Sequence, residues 1–240
     1  MSKILIITGG SKGIGKGIID AYLADGYQIL SISRSINNEL TQVKQFEFDL
    51  SKADGIVDLL TKIFEELNPE KVEKITLINN AGTLGKIGRI EDVTDIAQTV
   101  SLNTIAPLIL TSTFISLTKT WKCKKHIISI SSGAAQKPYY GWTVYCTTKA
   151  AIDMMTKTIA LEQDSIDNGA KIIAIYPGVV DTEMQAQIRK SDKNSFASID
   201  RFLELKASNS LANATTVGKQ ILTIDNNESL ENGALIRVDE

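Results

Sequence analysis

Seven short runs of apolar and β-branched residues punctuate the chain, at 3–8, 28–33, 45–49, 75–79, 126–131, 171–176 and 235–238. Most are nearly continuous, as in Ile4-Leu5-Ile6-Ile7 and Ile172-Ile173-Ala174-Ile175, rather than alternating with polar residues. Strands covered by helices on both faces of a parallel sheet read this way, because neither face meets water. Between the runs lie segments at roughly 13–25, 53–67, 94–119 and 142–163 with apolar residues three and four apart, exemplified by Ile56, Leu59, Leu60, Ile63 and Phe64. That spacing lines up one face of a helix.

The alternation of strand and helix predicts an α/β fold, a Rossmann-type doubly wound parallel sheet of about seven strands with helices on both faces. No Pro-, Gly- or Ser-rich linker interrupts it, so one domain over 1–240 is expected. The stretch 181–213 breaks the pattern. It is polar and rich in Asn and Ser, with Met184, Ile188, Phe196, Ile199, Phe202 and Leu205 at intervals. A covering lid of short helices fits it better than a strand.

Composition narrows the function classes. With 26 Lys+Arg against 28 Asp+Glu the net charge is −2, and the densest basic run, 122–125, reads as a solvated loop before a strand. Nucleic-acid binding as the main role is therefore not expected, since it needs concentrated cations. Cys123 and Cys146 form no CxxC and His126 is the single histidine, which argues against a disulfide framework and against a Cys/His metal site. The N-terminus runs straight into a glycine loop and no apolar stretch reads as approaching 18 residues, so no membrane association and a cytoplasmic location are expected.

Candidate chemistry starts in that glycine loop. Thr8-Gly9-Gly10-Ser11-Lys12-Gly13-Ile14-Gly15 falls between the first strand and the first helix, where small residues let backbone N–H groups approach a pyrophosphate. The alternative is a turn that only packs helix on strand. The end of the second strand selects between dinucleotides: an acidic residue there binds the adenosine ribose, a basic one the 2′-phosphate. Ser33-Arg34-Ser35, with Lys12 nearby, predicts NADP(H) over NAD(H), although both cations could simply face solvent.

Tyr145 and Lys149 stand four residues apart, on one helical face. A cation beside a phenol lowers its pKa, which would make Tyr145 a usable general acid–base. Ser131-Ser132 closes the preceding strand at the edge where open parallel sheets bind ligands, and a hydroxyl there could polarise a carbonyl. Asn103 is an awkward residue for a helix interior.

Gly9-x-x-x-Gly13-x-Gly15, Asn79-Asn80-Ala81-Gly82, Asn103, Ser132 with Tyr145-x-x-x-Lys149, and Pro177-Gly178 followed by Thr182 agree in order and spacing. Together they resemble the short-chain dehydrogenase/reductase family over essentially the whole chain. The resemblance implies that Tyr145 is the acid–base, Lys149 lowers its pKa and holds the nicotinamide ribose, Ser132 orients the carbonyl and Asn103 supports a proton-relay water. It places Asp49 and Leu50 against the adenine, Asn80, Ala81 and Gly82 along the ribose side, and Pro177, Gly178, Val180 and Thr182 at the nicotinamide amide. Asp49 could equally cap the following helix. The helices containing Asn103 and Tyr145 pair across subunits in the family, which implies a homodimer or homotetramer.

Within the family, the stretches 131–146 and 177–185 are similar to the sepiapterin reductase and benzil reductase group, which implies a small 1,2-dicarbonyl substrate reduced at one carbonyl. Leu84, Tyr139, Trp142 and Met184 are candidate walls of an apolar pocket, alongside Ser132 and Tyr145. Sepiapterin reductases carry an acidic anchor near the C-terminus where this chain has Arg237, with Asp239 close by. Arg237 favours a benzil-like diketone over a pterin, with a pterin carbonyl reductase the nearest alternative. A non-catalytic dinucleotide sensor is the alternative from another class.

Overall fold

The computed structural model describes residues 1–238. Seven strands, β1 (Ser2–Thr8), β2 (Tyr27–Ser33), β3 (Lys44–Glu47), β4 (Val72–Asn79), β5 (Lys124–Ile130), β6 (Lys171–Tyr176) and β7 (Leu235–Arg237), form one sheet in the order β3-β2-β1-β4-β5-β6-β7. Every neighbouring pair is parallel. Consecutive strands step one way from β1 to β3 and then cross to β4 on the other side of β1. The crevice beyond the carboxyl ends of β1 and β4 is the topological switch point, where such sheets bind ligands.

Apolar side chains fill both faces. On one, α2 (Ile56–Glu65) and α4 (Ala106–Thr118) press Leu60, Ile63, Phe64, Leu110 and Phe114 onto Ile4, Ile6, Leu77 and Ile127. On the other, α1 (Gly13–Ala24) and α8 (Ala214–Asp225) bury Ile18, Ile19, Tyr22, Val217 and Ile221 against Leu5, Ile7, Ile78 and Ile128. Alternate residues of β1, β2, β4, β5 and β6 thus serve opposite cores, which is why those strands read as unbroken apolar runs.

Several expectations are corrected. The helix at α8 was not anticipated. It lies so close to α1 that a Cβ on Gly218 would stand 2.1 Å from the Gly17 carbonyl oxygen, so neither position has room for a side chain. The basic run 122–125 is not a solvated loop: Lys124 and Lys125 begin β5, and Lys125 is buried with Nζ donating to the Trp121 carbonyl at 3.1 Å. The segment 94–119 is not one regular helix. It comprises α3 (Ile96–Val100), a π-helical turn (Ser101–Ile105) and α4. Over Ile96–Thr118 these are apolar enough to span a membrane by length and composition, with a mean hydropathy of 1.5. The sequence reading recognised no such run because Thr99, Asn103, Thr111 and Thr118 interrupt it, and all four are buried in the protein.

The 181–213 region does form short helices, α6 (Glu183–Arg189) and α7 (Ile199–Ala207). Phe196 and Phe202 pin them to Trp142, with Phe196 stacked on the indole at 4.5 Å between ring centres. At the opposite end of the strands Asp225 is buried. It accepts hydrogen bonds from Tyr22 (3.0 Å) and Thr76 (3.2 Å), pairs with Lys74 (3.0 Å) and lies 2.7 Å from His126 Nδ1.

Candidate active site

Beyond the carboxyl ends of the strands lies a cleft of about 980 Å³. One end is walled by the loop after β1 and the tip of β2. Gly9, Ser11, Lys12, Gly13, Ile14, Gly15, Ser33, Arg34 and Ser35 line it there. Gly15 opens α1 with no room for more: a Cβ would lie 2.1 Å from the Gly9 carbonyl oxygen. Backbone N–H groups at the start of this 12-residue helix are therefore accessible to an anion. Asn80 fixes the next loop against this one, donating from Nδ2 to the carbonyls of Thr8 (2.9 Å) and Gly9 (3.1 Å). The Thr8 hydroxyl in turn accepts from the backbone N–H groups of Asn80 and Ala81 at 3.0 Å each.

The middle is lined by Leu50, Asn80, Ala81, Gly82, Pro177, Gly178, Val180 and Thr182. At the far end Ser132, Tyr145 and Lys149 meet Tyr139, Trp142 and Met184. Tyr145 and Lys149 lie on α5 (Thr143–Asp164), and Ser132 just after β5 caps a 3-10 turn by accepting from the Ala134 N–H at 3.2 Å. The Ser132 hydroxyl stands beside the Tyr145 phenol.

The cleft does not give Tyr145 the lowered pKa expected from its spacing to Lys149. Burial dominates and pushes the phenol up to about 12, against a smaller downward pull from Ser132. The Lys149 ammonium is turned toward β5, donating to the Ile130 carbonyl at 2.7 Å, and stands 5.8 Å from the Tyr145 ring centre. Its own burial brings it down to about 8, opposed by the charge of Asp153.

Three expected site residues do not line the cleft. Asp49 turns onto its own segment, accepting from the Ser51 N–H (3.0 Å) and hydroxyl (2.8 Å) in a local turn, and it does not cap the following helix, which starts at Ile56 behind Gly55. Leu84 is core, packed with Trp142 and Phe202. Asn103 sits in the π-helical turn behind the cleft. It accepts from Thr83 N–H (2.9 Å) and donates to the Thr83 carbonyl (2.8 Å) and the Thr148 hydroxyl (3.2 Å). Widening the helix by one residue per turn is a common device at functional sites; here it places this amide between the loop after Gly82 and α5. Lys12 does line the cleft, but pairs with exposed Glu183 across its mouth.

The sequence reading missed several lining residues: Phe48, Thr83, Lys137, Tyr176, Gln185 and Gln187. Tyr176 had a usable signal, as the last residue of a strand directly before Pro177-Gly178. Arg237 also lines the cleft, 5.5 Å over the Tyr176 ring, whereas Asp239 lies outside the described residues.

The family described as short chain dehydrogenase matches residues 3–193. The chain belongs to that family. Among the relatives of this short chain dehydrogenase, the benzil reductase ((S)-benzoin forming) of Bacillus cereus is 40% identical over 248 residues, covering 99% of this chain and 100% of its own. The protein of the same name from Bacillus subtilis is 33% identical over 99% of both chains, and rat sepiapterin reductase 28% identical over 96% and 94%. A solved short chain dehydrogenase/reductase from Saccharomyces cerevisiae superimposes with a TM-score of 0.84 at 22% identity, over 100% of this chain and 97% of the other. ElxO, solved with NADP bound, gives 0.79 at 24% identity over 99% and 97%. The chain is an oxidoreductase, a carbonyl reductase of a family that binds a nicotinamide dinucleotide.

Proposed function

We propose that this short chain dehydrogenase is an NADPH-dependent reductase of 1,2-dicarbonyls, converting one carbonyl of a benzil-like diketone to an alcohol. The observation that carries the reading is the meeting of Ser132, Tyr145 and Lys149 at one end of a cleft whose other end is a glycine loop flanked by Arg34. A cleft of about 980 Å³ is at the upper end of single-ligand pockets, and suits a dinucleotide with a small substrate beside it. When bound, the reduced nicotinamide would supply the hydride.

The chain's own residues supply everything else. The loop N–H groups hold the pyrophosphate, Arg34 and Lys12 meet the 2′-phosphate, and Pro177, Gly178, Val180 and Thr182 border the nicotinamide end. Leu50, Ala81 and Gly82 wall the adenosine and ribose portions. Ser132 donates to the substrate carbonyl oxygen and so stabilises charge developing there. Tyr145, with its pKa near 12, is a neutral phenol at physiological pH and hands a proton to that oxygen. Lys149 would hold the nicotinamide ribose. Asn103 joins the Gly82–Thr83 loop to α5, supporting the supply of a replacement proton. Tyr139, Trp142 and Met184 accept the apolar body of the substrate. Arg237 beside the distal end favours a diketone over the pterin edge that an acidic anchor would bind.

Tyr145→Phe tests the assignment. Turnover should fall about 10²- to 10⁴-fold, the usual contribution of a positioned acid, while NADPH affinity measured by fluorescence stays within about twofold. Full turnover in Tyr145→Phe refutes the mechanism. Unimpaired NADPH binding with no reduction of any diketone would instead favour a sensor.

A further inference from the structure

One helical turn beyond Lys149, on the face of α5 that carries Tyr145 and Lys149, stands Asp153. It is 8% exposed, and among the described residues only Asp153 and Asp225 are buried carboxylates. Asp225 lies at the far end of the strands, whereas Asp153 lies directly beneath the cleft.

Its two oxygens are held by donors from two strands. Ser131 donates from Oγ to Oδ1 at 2.6 Å, and the Tyr176 hydroxyl donates to Oδ2. Tyr176 is oriented in turn by Gln136, whose Nε2 donates to the phenol oxygen at 2.8 Å. Ser131 immediately precedes Ser132, and Tyr176 immediately precedes Pro177. The Ser131 hydroxyl also lies 3.4 Å from the main-chain oxygen of Lys149. One carboxylate therefore ties the ends of β5 and β6 to the helix that presents Tyr145 and Lys149.

We propose that Asp153 is a positioning residue for the reductase chemistry, its carboxylate acting on Lys149 from one helical turn away and its oxygens setting Ser132 and the Pro177 loop against α5. This rests on the role given above to Lys149. A wholly buried ammonium is costly and tends to lose its proton unless an opposite charge is near. The groups around Asp153 and Lys149 are Tyr145 and Cys146 on α5, the Ile130 carbonyl from β5 with Ser131 and Ser132 just after it, Tyr176 from β6, Asn103 from the π-helical turn, and Arg237 over Tyr176 from β7. Asp153 is the one carboxylate in this set. The Lys149 value near 8 carries an upward contribution from Asp153 against the larger downward effect of burial.

A merely structural strut would hold the strand ends together without affecting any titration, and this difference defines the test. In Asp153→Asn the shape is kept and the charge removed; Asp153→Ser is a second neutral variant should the first fail to fold. Two readouts are taken from pH 6 to 10: kcat/KM for NADPH-dependent benzil reduction, and the titration of the Lys149 side chain by NMR with ¹³C-labelled lysine, assigned by its loss in Lys149→Met. The Lys149 midpoint should fall by about one pH unit or more, and the alkaline decline in kcat/KM should move down with it. Ser131→Ala, which removes a hydrogen bond but no charge, should leave the midpoint in place, and Asp153→Glu should restore it. An unchanged midpoint in the neutral variants overturns the proposal, even if activity drops uniformly with pH. Should the wild type reduce no dicarbonyl, the functional reading fails, and the NMR titration still decides the role of Asp153.

Discussion

Burial, rather than the neighbouring lysine, sets the resting state of Tyr145: the ammonium of Lys149 turns to the Ile130 carbonyl and the phenol remains protonated. That state suits reduction, which needs a proton donor. Arg34 offers a second test at this scale, because its exposed guanidinium at the cleft edge has the planar geometry to grip a phosphate. Arg34→Ala should raise the Kd for NADPH about tenfold or more, as loss of a charge-assisted contact costs on the order of 1.5–3 kcal/mol, and leave that for NADH nearly unchanged; fluorescence titration of both nucleotides reads the difference. That Gly15 and the set of Ser132, Tyr145 and Lys149 would face one cleft was legible in the sequence from local spacing. The pKa of Tyr145, the turn of Asp49 onto its own segment and the core position of Leu84 were not. Each depends on what the fold packs around the residue, which spacing does not encode.

Among the elements, the strands were read almost to their ends because burial on both faces leaves unbroken apolar runs, with shifts of one to three residues where Ser2, Tyr27 and Val72 extend the ladders. The helix α8 was missed because its apolar stripe of Val217, Ile221 and Ile224 is diluted by Thr215, Thr216, Gly218 and Lys219. Gly218, a poor helix former by composition, is there because α1 comes within contact of its backbone. Asp225 closes α8 and fastens it to β4 and β5. Burial raises its pKa, but the His126 hydrogen bond and the Lys74 charge outweigh that, and the carboxyl is held below the usual carboxylate range. A depressed folded pKa means stability present at neutral pH and lost as pH falls below the unfolded value near 4 and through the folded one. Asp225→Asn strands the buried Lys74 ammonium and should cost about 3–5 kcal/mol, measured by urea unfolding at pH 7, with the gap to wild type narrowing in acid. A gap that stays constant down to pH 3 would show that the charge is not what fastens the helix.

At the scale of the whole molecule, α5 and the π-helical turn with α4 leave apolar side chains facing out: Met154 and Leu161 are 64% and 74% exposed, and Ile105 and Leu108 lie about two-fifths exposed. The family resemblance implies that these helices pair across subunits, and we propose that this exposed apolar stripe is the face of a homo-oligomer. The double variant Met154→Glu, Leu161→Glu should run as a monomer in light scattering where the wild type runs as a dimer or tetramer; a monomeric wild type removes that reading. The central claim is that the glycine loop, Arg34 and the Ser132–Tyr145–Lys149 set make a reductase of 1,2-diketones that draws on NADPH. Its most direct test is the loss of absorbance at 340 nm with benzil and with sepiapterin, each with NADPH and with NADH. Benzil should be reduced with NADPH, at least about tenfold slower with NADH as for loss of one phosphate contact, and sepiapterin little or not at all. Sepiapterin reduction without benzil reduction, or equal rates with the two nucleotides, would contradict it.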